Sequence, residues 1–393
     1  MRRFFLTLRA GFVGLVLISL CVVGFSSFTQ KNQPYKSNLD GRMLAEFESP
    51  TVESFLDGSW MKGTENFFED RIIGRTTLLK LHEIFARKIL HSLEVSGVWT
   101  NPTNNMMFEV TPELADPSHL DSALNDLKQT VSAAHVPLLM VYVPKKQEVF
   151  ADQLPKHWTN SYVADRPLVL DAFGRTGEVL DLTHVVGASD TRDKNWFLTD
   201  HHWSGTGAIA ASNAVRAKLE AMGLPAPHDL PELTHVTKYK PFIGSIGRRL
   251  TSSGVPQTDD FSIAWSPKAQ LTHCMNKPAT TAVCNEPIFF DKIGNSKDPY
   301  ANRYATFMSG DNAIDDLRGT GTGTYIVLKD SFGDSFVPYL ALGAKRIVSI
   351  DERHFTQGNL STLIQQVKPD GVIVMHNQLS LSLLTPDQLA VWK

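Results

Sequence analysis

What this sequence has little of narrows the reading first. Three cysteines serve 393 residues, the net charge is only -3, and no block of Lys or Arg follows the first ten positions. Nucleic-acid binding draws its affinity from cations that neutralise phosphates, so the want of a basic patch argues against that partner and for a small or neutral one. None of the cysteines has His or Cys neighbours at the spacing of a structural zinc site, and no HExxH-like element occurs. No metal or other cofactor is expected.

What is present begins at the N-terminus. Arg2, Arg3 and Arg9 come without an acidic residue and precede an apolar run from Ala10 to Phe28. That run reaches the lower limit for crossing a bilayer, roughly 17–25 residues, and the arginines hold its start in the cytoplasm. Residues 1–28 therefore read as a signal anchor, or as a cleaved signal peptide with Gly24, Ser26 and Ser27 as the small residues for processing. Either way the remainder of the chain is exported. A lipoprotein reading of Cys21 is poor, because bulky Leu20 precedes it. In that compartment Cys274 and Cys284, which bracket "CMNKPATTAVC", are expected to form a disulfide closing a local hairpin or loop; His273 beside them stands alone.

Residues 29–95 read as a polar stalk followed by a helical lead-in. Phe67, Ile72, Leu78, Leu79, Leu81, Ile84, Phe85 and Ile89 recur at spacings that fit a 3.6-residue period and predict a packed apolar face. From residue 96 onward, strands and helices alternate. "PLLMVYV" (137–143) follows an amphipathic stretch at about 118–134, and "TYIVL", "GDSFVPYLALG", "RIVSI", "LSTLIQQV" and "GVIVM" alternate near the C-terminus. This rhythm predicts βαβ units with right-handed crossovers in a three-layer α/β/α sandwich over residues 96–393, with a mostly parallel sheet. Residues 223–310, rich in Pro, Gly, Ser and Thr, lack the rhythm and read as long functional loops.

Two stretches carry candidate chemistry. In "YIVLKDSFGDSF" (325–336) the tripeptide Asp-Ser-Phe occurs twice. Ser331 falls where a strand ends and a helix begins, the place where open α/β sheets bind ligands and where helix N–H groups face an oxyanion. Ser335 falls one turn into the helix. Taken alone, the stretch fits a helix cap by Asp330 or Ser331 better than a nucleophile. In "NWFLTDHHWSGTGA" (195–208), Asp200 and His202 could supply a base and the carboxylate that orients it from one loop, while His201 points elsewhere if the segment is extended. Asp200 as a helix cap is the plain alternative, and a metal held by Asp200, His201 and His202 is disfavoured because adjacent histidines diverge.

"TDHHW" together with "KDSFGDSFVPYL" resembles the DHHW family, itself similar to the alginate O-acetylation proteins that carry an SGNH-hydrolase-like domain. The resemblance extends through "FFEDRIIGR", "VYVPKK", "FIGSIGRR", "FMSGDNAI" and "SIDERHF", in order. It implies an SGNH-hydrolase-like fold in which Asp200 orients His202, His202 is the general base and Ser331 the nucleophile. It also implies that acetyl, supplied by a membrane-bound O-acyltransferase, passes through acetyl-Ser331 to a cell-surface or secreted polysaccharide. The Ser331 N–H is the expected oxyanion donor, joined by Asn312 or a glycine of "FIGSIG". Lys145 and Arg353, each beside a predicted strand end, and Trp203, beside the histidines, are candidate substrate contacts; surface charge is the plain reading of the first two. Water in place of the sugar hydroxyl would make the same triad a carbohydrate esterase. A non-catalytic glycan-binding or assembly protein is the third reading, and the intact Asp200/His202/Ser331 set argues against it.

Overall fold

The computed structural model describes residues 2–29, 36–37, 39–110, 118–276, 282–356 and 358–393; positions 30–35 and 38 of the expected stalk and 277–281 of the cysteine loop lie outside the described residues. The chain divides into two compact units, Met1–Ser96 with Arg248–Val255, and Gly97–Gly247 with Pro256–Lys393.

The first unit opens with helix α1 (Arg2–Phe28), whose segment Gly11–Phe28 has a mean hydropathy of 2.2 and is only 6% buried, long and apolar enough to cross a membrane. Helices α2 (Ser59–Arg71) and α3 (Arg75–Ile84) follow, and a wider turn of helix runs over Phe85–Ile89. The lead-in is helical, but its periodic apolar residues do not all pack. Phe67 is buried, whereas Leu78, Leu81, Ile84, Phe85 and Ile89 face outward and the buried side of α3 is occupied by Glu83. Hydrophobic spacing reports an apolar face without saying what covers it.

The second unit is built on an eight-stranded sheet. Its strands are β1 (Leu138–Tyr142), β2 (Glu178–Asp181), β3 (Thr272–Asn276), β4 (Val283–Cys284), β5 (Ile314–Arg318), β6 (Thr324–Lys329), β7 (Arg346–Ile350) and β8 (Gly371–His376). They lie in the order β4-β3-β5-β7-β6-β8-β1-β2. The run from β7 to β2 is parallel, and β5, β3 and β4 continue it antiparallel at one edge. The central strands are apolar without a break because both faces are covered. Tyr325 and Val327 of β6 enter one core, and Ile326 and Leu328 enter the other. Helices α6 (Gly205–Ala221) and α7 (Phe332–Ala341) cover the first face, and α4 (Ser118–Ala133), α5 (Ser161–Thr176) and α8 (Leu360–Val367) the second. Each large side chain so buried contributes about 1.5–3 kcal/mol.

Residues 223–310 are not all loop. They supply β3 and β4 and a separate antiparallel pair, His235–Lys238 with Ser262–Trp265, while Arg248–Val255 joins the first unit. Strands such as "THCMN" are too short and polar to show a period. Cys274 and Cys284 oppose each other in the β3–β4 register and are bonded.

The crossovers place the site. From β6 the chain returns through α7 to β7, and from β7 through α8 on the opposite face to β8, so β7 and β8 flank β6 on its two sides. The carboxyl end of β6 therefore opens at a switch point of the sheet, where a crevice forms.

Candidate active site

β6 ends at Lys329, and within two residues the chain enters α7 with Ser331 as its N-cap. The turn is held by Asp330, whose carboxylate accepts the Phe332 N–H at 2.9 Å and, from the neighbouring strand end, the Asn377 N–H at 2.9 Å and side-chain amide at 2.6 Å. Ser331 makes no side-chain cap bond, so its hydroxyl is left for another partner, and it is partly exposed while its neighbours are buried. That partner is His202: Nε2 lies 2.8 Å from Ser331 Oγ.

The other end of the imidazole is fixed by Asp200. Its Oδ1 lies 2.7 Å from His202 Nδ1 and accepts the His202 N–H at 2.9 Å, and its Oδ2 accepts the Ser245 N–H at 2.7 Å. Burial pushes the Asp200 carboxyl up, but the charge and hydrogen bond of His202 outweigh it and hold the group well below the usual carboxylate range. A chain of carboxylate, imidazole and hydroxyl thus runs inward to outward, with the serine at its open end.

Four residues from Ser331, Ser335 is fully buried; the Trp203 indole N–H donates to its Oγ at 2.8 Å, and Tyr304 Oη lies 2.8 Å away. It ties α7 to the His202 loop. Trp203 is therefore interior, a correction to its reading as a substrate contact. Asn312 also differs from expectation: both its amide hydrogens are used, on Met308 O at 2.6 Å and Asp315 Oδ1 at 2.8 Å, leaving none for an oxyanion. The "FIGSIG" loop is committed as well. Gly244 N–H donates to Thr199 Oγ1, Ser245 N–H to Asp200, and Gly247 N–H to Thr199 O. A Cβ on Gly244 would come within 2.3 Å of Asp200 Cβ, so glycine is what lets this loop reach the carboxylate. Among the described residues the Ser331 N–H has no acceptor, and it remains the donor available to an oxyanion.

Arg353 is ion-paired and half-buried: its guanidinium binds Asp351 at 2.8 and 2.5 Å and Asp311 at 2.7 Å. Lys145 is buried, with its ammonium 5.9 Å from the rings of Phe332 and Tyr162, beside the turn that carries Ser331. His201 turns away from the serine, its Nδ1 2.5 Å from Ser245 Oγ. Asp200, His201 and His202 bring donor atoms within 4.8 Å of one another, yet both His202 nitrogens are hydrogen-bonded, so a metal there would have to break one of those bonds.

Several residues of this arrangement gave no signal in the sequence. The ring of Tyr304 stacks on His202. Lys146, fully buried, donates to the carbonyls of Met107 at 3.0 Å, Leu198 at 2.8 Å and Asp200 at 3.2 Å. Asp259 takes the opposite groups of the same loop, the N–H of Leu198 at 2.5 Å, the N–H of Thr199 at 2.8 Å and the Thr199 hydroxyl. Burial pushes Lys146 down to about 7 and Asp259 up to about 6. They clamp the backbone that carries Asp200 and His202.

A parallel α/β sheet with a serine at a central strand end, joined to an Asp-x-His pair from one loop, is an SGNH-hydrolase-like arrangement. Comparison with known proteins agrees. Residues 105–257 match the family model described as SGNH hydrolase-like domain, acetyltransferase AlgX. That stretch contains Asp200 and His202 and ends before Ser331. The chain is similar to PatB1 of Bacillus cereus, solved with a sulfonyl adduct, at 16% identity and a TM-score of 0.61, over 74% of this chain and 97% of that one. It is similar to a DHHW family protein from Eubacterium siraeum at 19% identity and a TM-score of 0.61, over 75% and 95%. The O-acetyltransferase domain of Pseudomonas putida AlgJ aligns at 16% identity with a TM-score of 0.47, over 75% and 98%. No curated protein sequence matches the chain.

Proposed function

We propose that this protein is an extracytoplasmic O-acetyltransferase that moves acetyl groups onto a cell-surface or secreted polysaccharide through an acetyl-serine intermediate. The observation that carries the reading is the continuous Asp200–His202–Ser331 relay ending at a partly exposed hydroxyl, beside an N–H with no acceptor among the described residues. The match of residues 105–257 to an acetyltransferase domain supports the transferred group.

In the first half-reaction His202 Nε2 takes the Ser331 proton as Oγ attacks the acetyl carbonyl carbon, and the oxygen of the tetrahedral adduct accepts the Ser331 N–H. The adduct collapses, the C–O bond to the donor breaks, and the protonated His202 gives its proton to the leaving oxygen. In the second, His202 takes the proton of a sugar hydroxyl, that oxygen attacks acetyl-Ser331, and Ser331 leaves reprotonated. Asp200 keeps the imidazole in the tautomer that both halves need. The arginines ahead of the apolar run from Ala10 to Phe28 favour export of everything after it, and a membrane-bound O-acyltransferase would supply acetyl from the other side.

The test is mass spectrometry of the purified full chain after incubation with an activated acetyl ester, with and without polysaccharide. The expected result is acetyl on the Ser331 peptide that is discharged to sugar hydroxyls. Discharge to acetate alone, indifferent to added polysaccharide, would make the protein an esterase; no acetyl on Ser331 would overturn both.

A further inference from the structure

The helical part of the first unit turns its apolar side outward. Leu78, Leu81 and Phe85 are 52%, 58% and 53% exposed and fall within an arc of about 60° at 100° per residue. The opposite side of α3 buries Glu83, which accepts the N–H and hydroxyl of Thr251 at 2.6 and 2.5 Å. Beside α3, Ile89 and Leu90 are exposed, and ahead of α2 so are Val52, Phe55 and Leu56. In the second unit, large exposed apolar residues such as Leu168 and Leu383 are fewer along a much longer stretch of chain. A helix with a polar inner side and an apolar outer one has its surroundings reversed from those of water.

The same unit holds α1, and the chain leaving α1 is not a loose tether. Phe28 packs edge-on against Phe47 with centroids 4.9 Å apart, and Phe47 against Phe67 of α2 at 5.5 Å. Arg42 pairs with Asp70 of α2 at 2.6 Å, and Arg75 of α3 with Asp40 at 2.8 Å. Wherever α1 leaves the bilayer, α2 and α3 are held beside it.

We infer that α3 and its flanking turns form a foot that seats in the membrane surface, with Leu78, Leu81 and Phe85 entering the boundary between headgroups and acyl chains. The occupant of this face is lipid. Side chains of this kind reach about 5–10 Å into that boundary, and exposed Lys88 lies at its edge for anionic headgroups. The inference rests on reading α1 as a membrane anchor. The foot fixes the height at which the first unit stands over the bilayer.

The test uses the full chain reconstituted in vesicles of phosphatidylcholine and phosphatidylglycerol, with an environment-sensitive fluorophore on single cysteines. Native Cys21, in α1, reports on the anchor; Leu81→Cys and Phe85→Cys in a Cys21→Ser background report on the foot, and Leu168→Cys and Leu383→Cys are controls. The foot labels should shift to the blue and lose emission in vesicles carrying shallow brominated lipid, while the controls keep water-like emission. Cys21 quenched by deep brominated lipid together with water-like foot labels would overturn the inference and leave the anchor standing. Cys21 unquenched would remove the anchor and the inference with it. A blue shift at the foot without quenching would mean that protein, a second copy of the chain, covers the face, and would also overturn it.

Discussion

The imidazole of His202 lies flat on the phenol ring of Tyr304, centroids 3.9 Å apart and planes 6° from parallel. The stack fixes the ring plane that the hydrogen bond from His202 Nδ1 to Asp200 leaves free to rock. Tyr304→Ala should therefore lower kcat/KM by about 2–12-fold, the equivalent of the ~0.5–1.5 kcal/mol of an aromatic pair. Tyr304→Phe keeps the stack and loses the hydroxyl's bonds to Ser335 and to the Phe332 carbonyl, so it should stay near wild type in turnover and lose about 1 kcal/mol in stability. Steady-state kinetics of both variants with an acetyl ester, beside urea unfolding, separates the two effects.

The adjacent histidines should behave differently. His202→Ala removes the proposed base and is expected to cost on the order of 10⁴-fold or more in ester turnover. His201→Ala removes the contact with Ser245 and the ring packing on His202 but leaves the Asp200–His202–Ser331 bonds in place, and should be milder by at least about 100-fold. Equal losses would mean that the loop faces the serine with both rings.

How much of this was readable beforehand depends on whether local pattern or long-range packing sets each feature. The strands "TYIVL", "RIVSI" and "GVIVM" and their helices stand where the alternation puts them, because a strand buried on both faces must be apolar throughout. β5, "IDDLR", carries two acids in five residues and shows no such run. Asp315 is tolerated there because His273 Nε2 reaches it at 2.8 Å from β3, a pairing invisible until the strands are side by side. The Asp-x-His pair was legible because both residues sit on one loop. The Lys146–Asp259 clamp was not, since its members are 113 positions apart and read singly as surface charges. Asn312 as an oxyanion donor, and Trp203 and Arg353 as substrate contacts, are expectations drawn from position beside a motif or a strand end, and position in sequence says nothing about whether a polar atom is already taken.

Glu148 should make stability depend on pH. It accepts the Tyr142 hydroxyl and the Lys145 N–H, each at 2.6 Å, and burial pushes its carboxyl up to about 7 from an ordinary 4.5. Between those values the folded chain holds a proton that the unfolded chain has released, so stability falls as pH rises from about 4.5 to 7. The full span corresponds to roughly 3 kcal/mol at 1.36 kcal/mol per pH unit. Glu148→Gln should flatten this slope in chemical denaturation at pH 5 and pH 8 and be the more stable chain at the higher pH. An unchanged slope would show that the carboxylate is solvated.

The disulfide should matter for the edge of the sheet and not for the chemistry. Cys274 and Cys284 are ten positions apart across the β3–β4 pair, so their bond should contribute about 2–3 kcal/mol in the chain-entropy account. Cys274→Ser with Cys284→Ser should lower stability by that order and leave ester turnover within about twofold, since both lie outside the hydrogen-bonded site. Thiol counting under denaturing, non-reducing conditions should find Cys21 alone.

The two serines give the sharpest test of the site. A fluorophosphonate needs a hydroxyl that is open to the reagent and bonded to a base, and Ser331 meets both conditions with its partly exposed position and the 2.8 Å bond to His202. Ser331→Ala should abolish labelling with almost no change in stability, because the hydroxyl makes no cap bond that could be lost. Ser335→Ala should do the reverse. Its hydroxyl is buried against Trp203 and Tyr304, and removing it leaves the indole N–H without an acceptor, at a cost of about 1–3 kcal/mol. Labelling should persist in that variant, slowed to the extent that Tyr304 loosens its stack on His202. Labelling that survives in Ser331→Ala and vanishes in Ser335→Ala would put the nucleophile one helical turn further along α7, on the side that faces Trp203, and the proposed relay would then be structural.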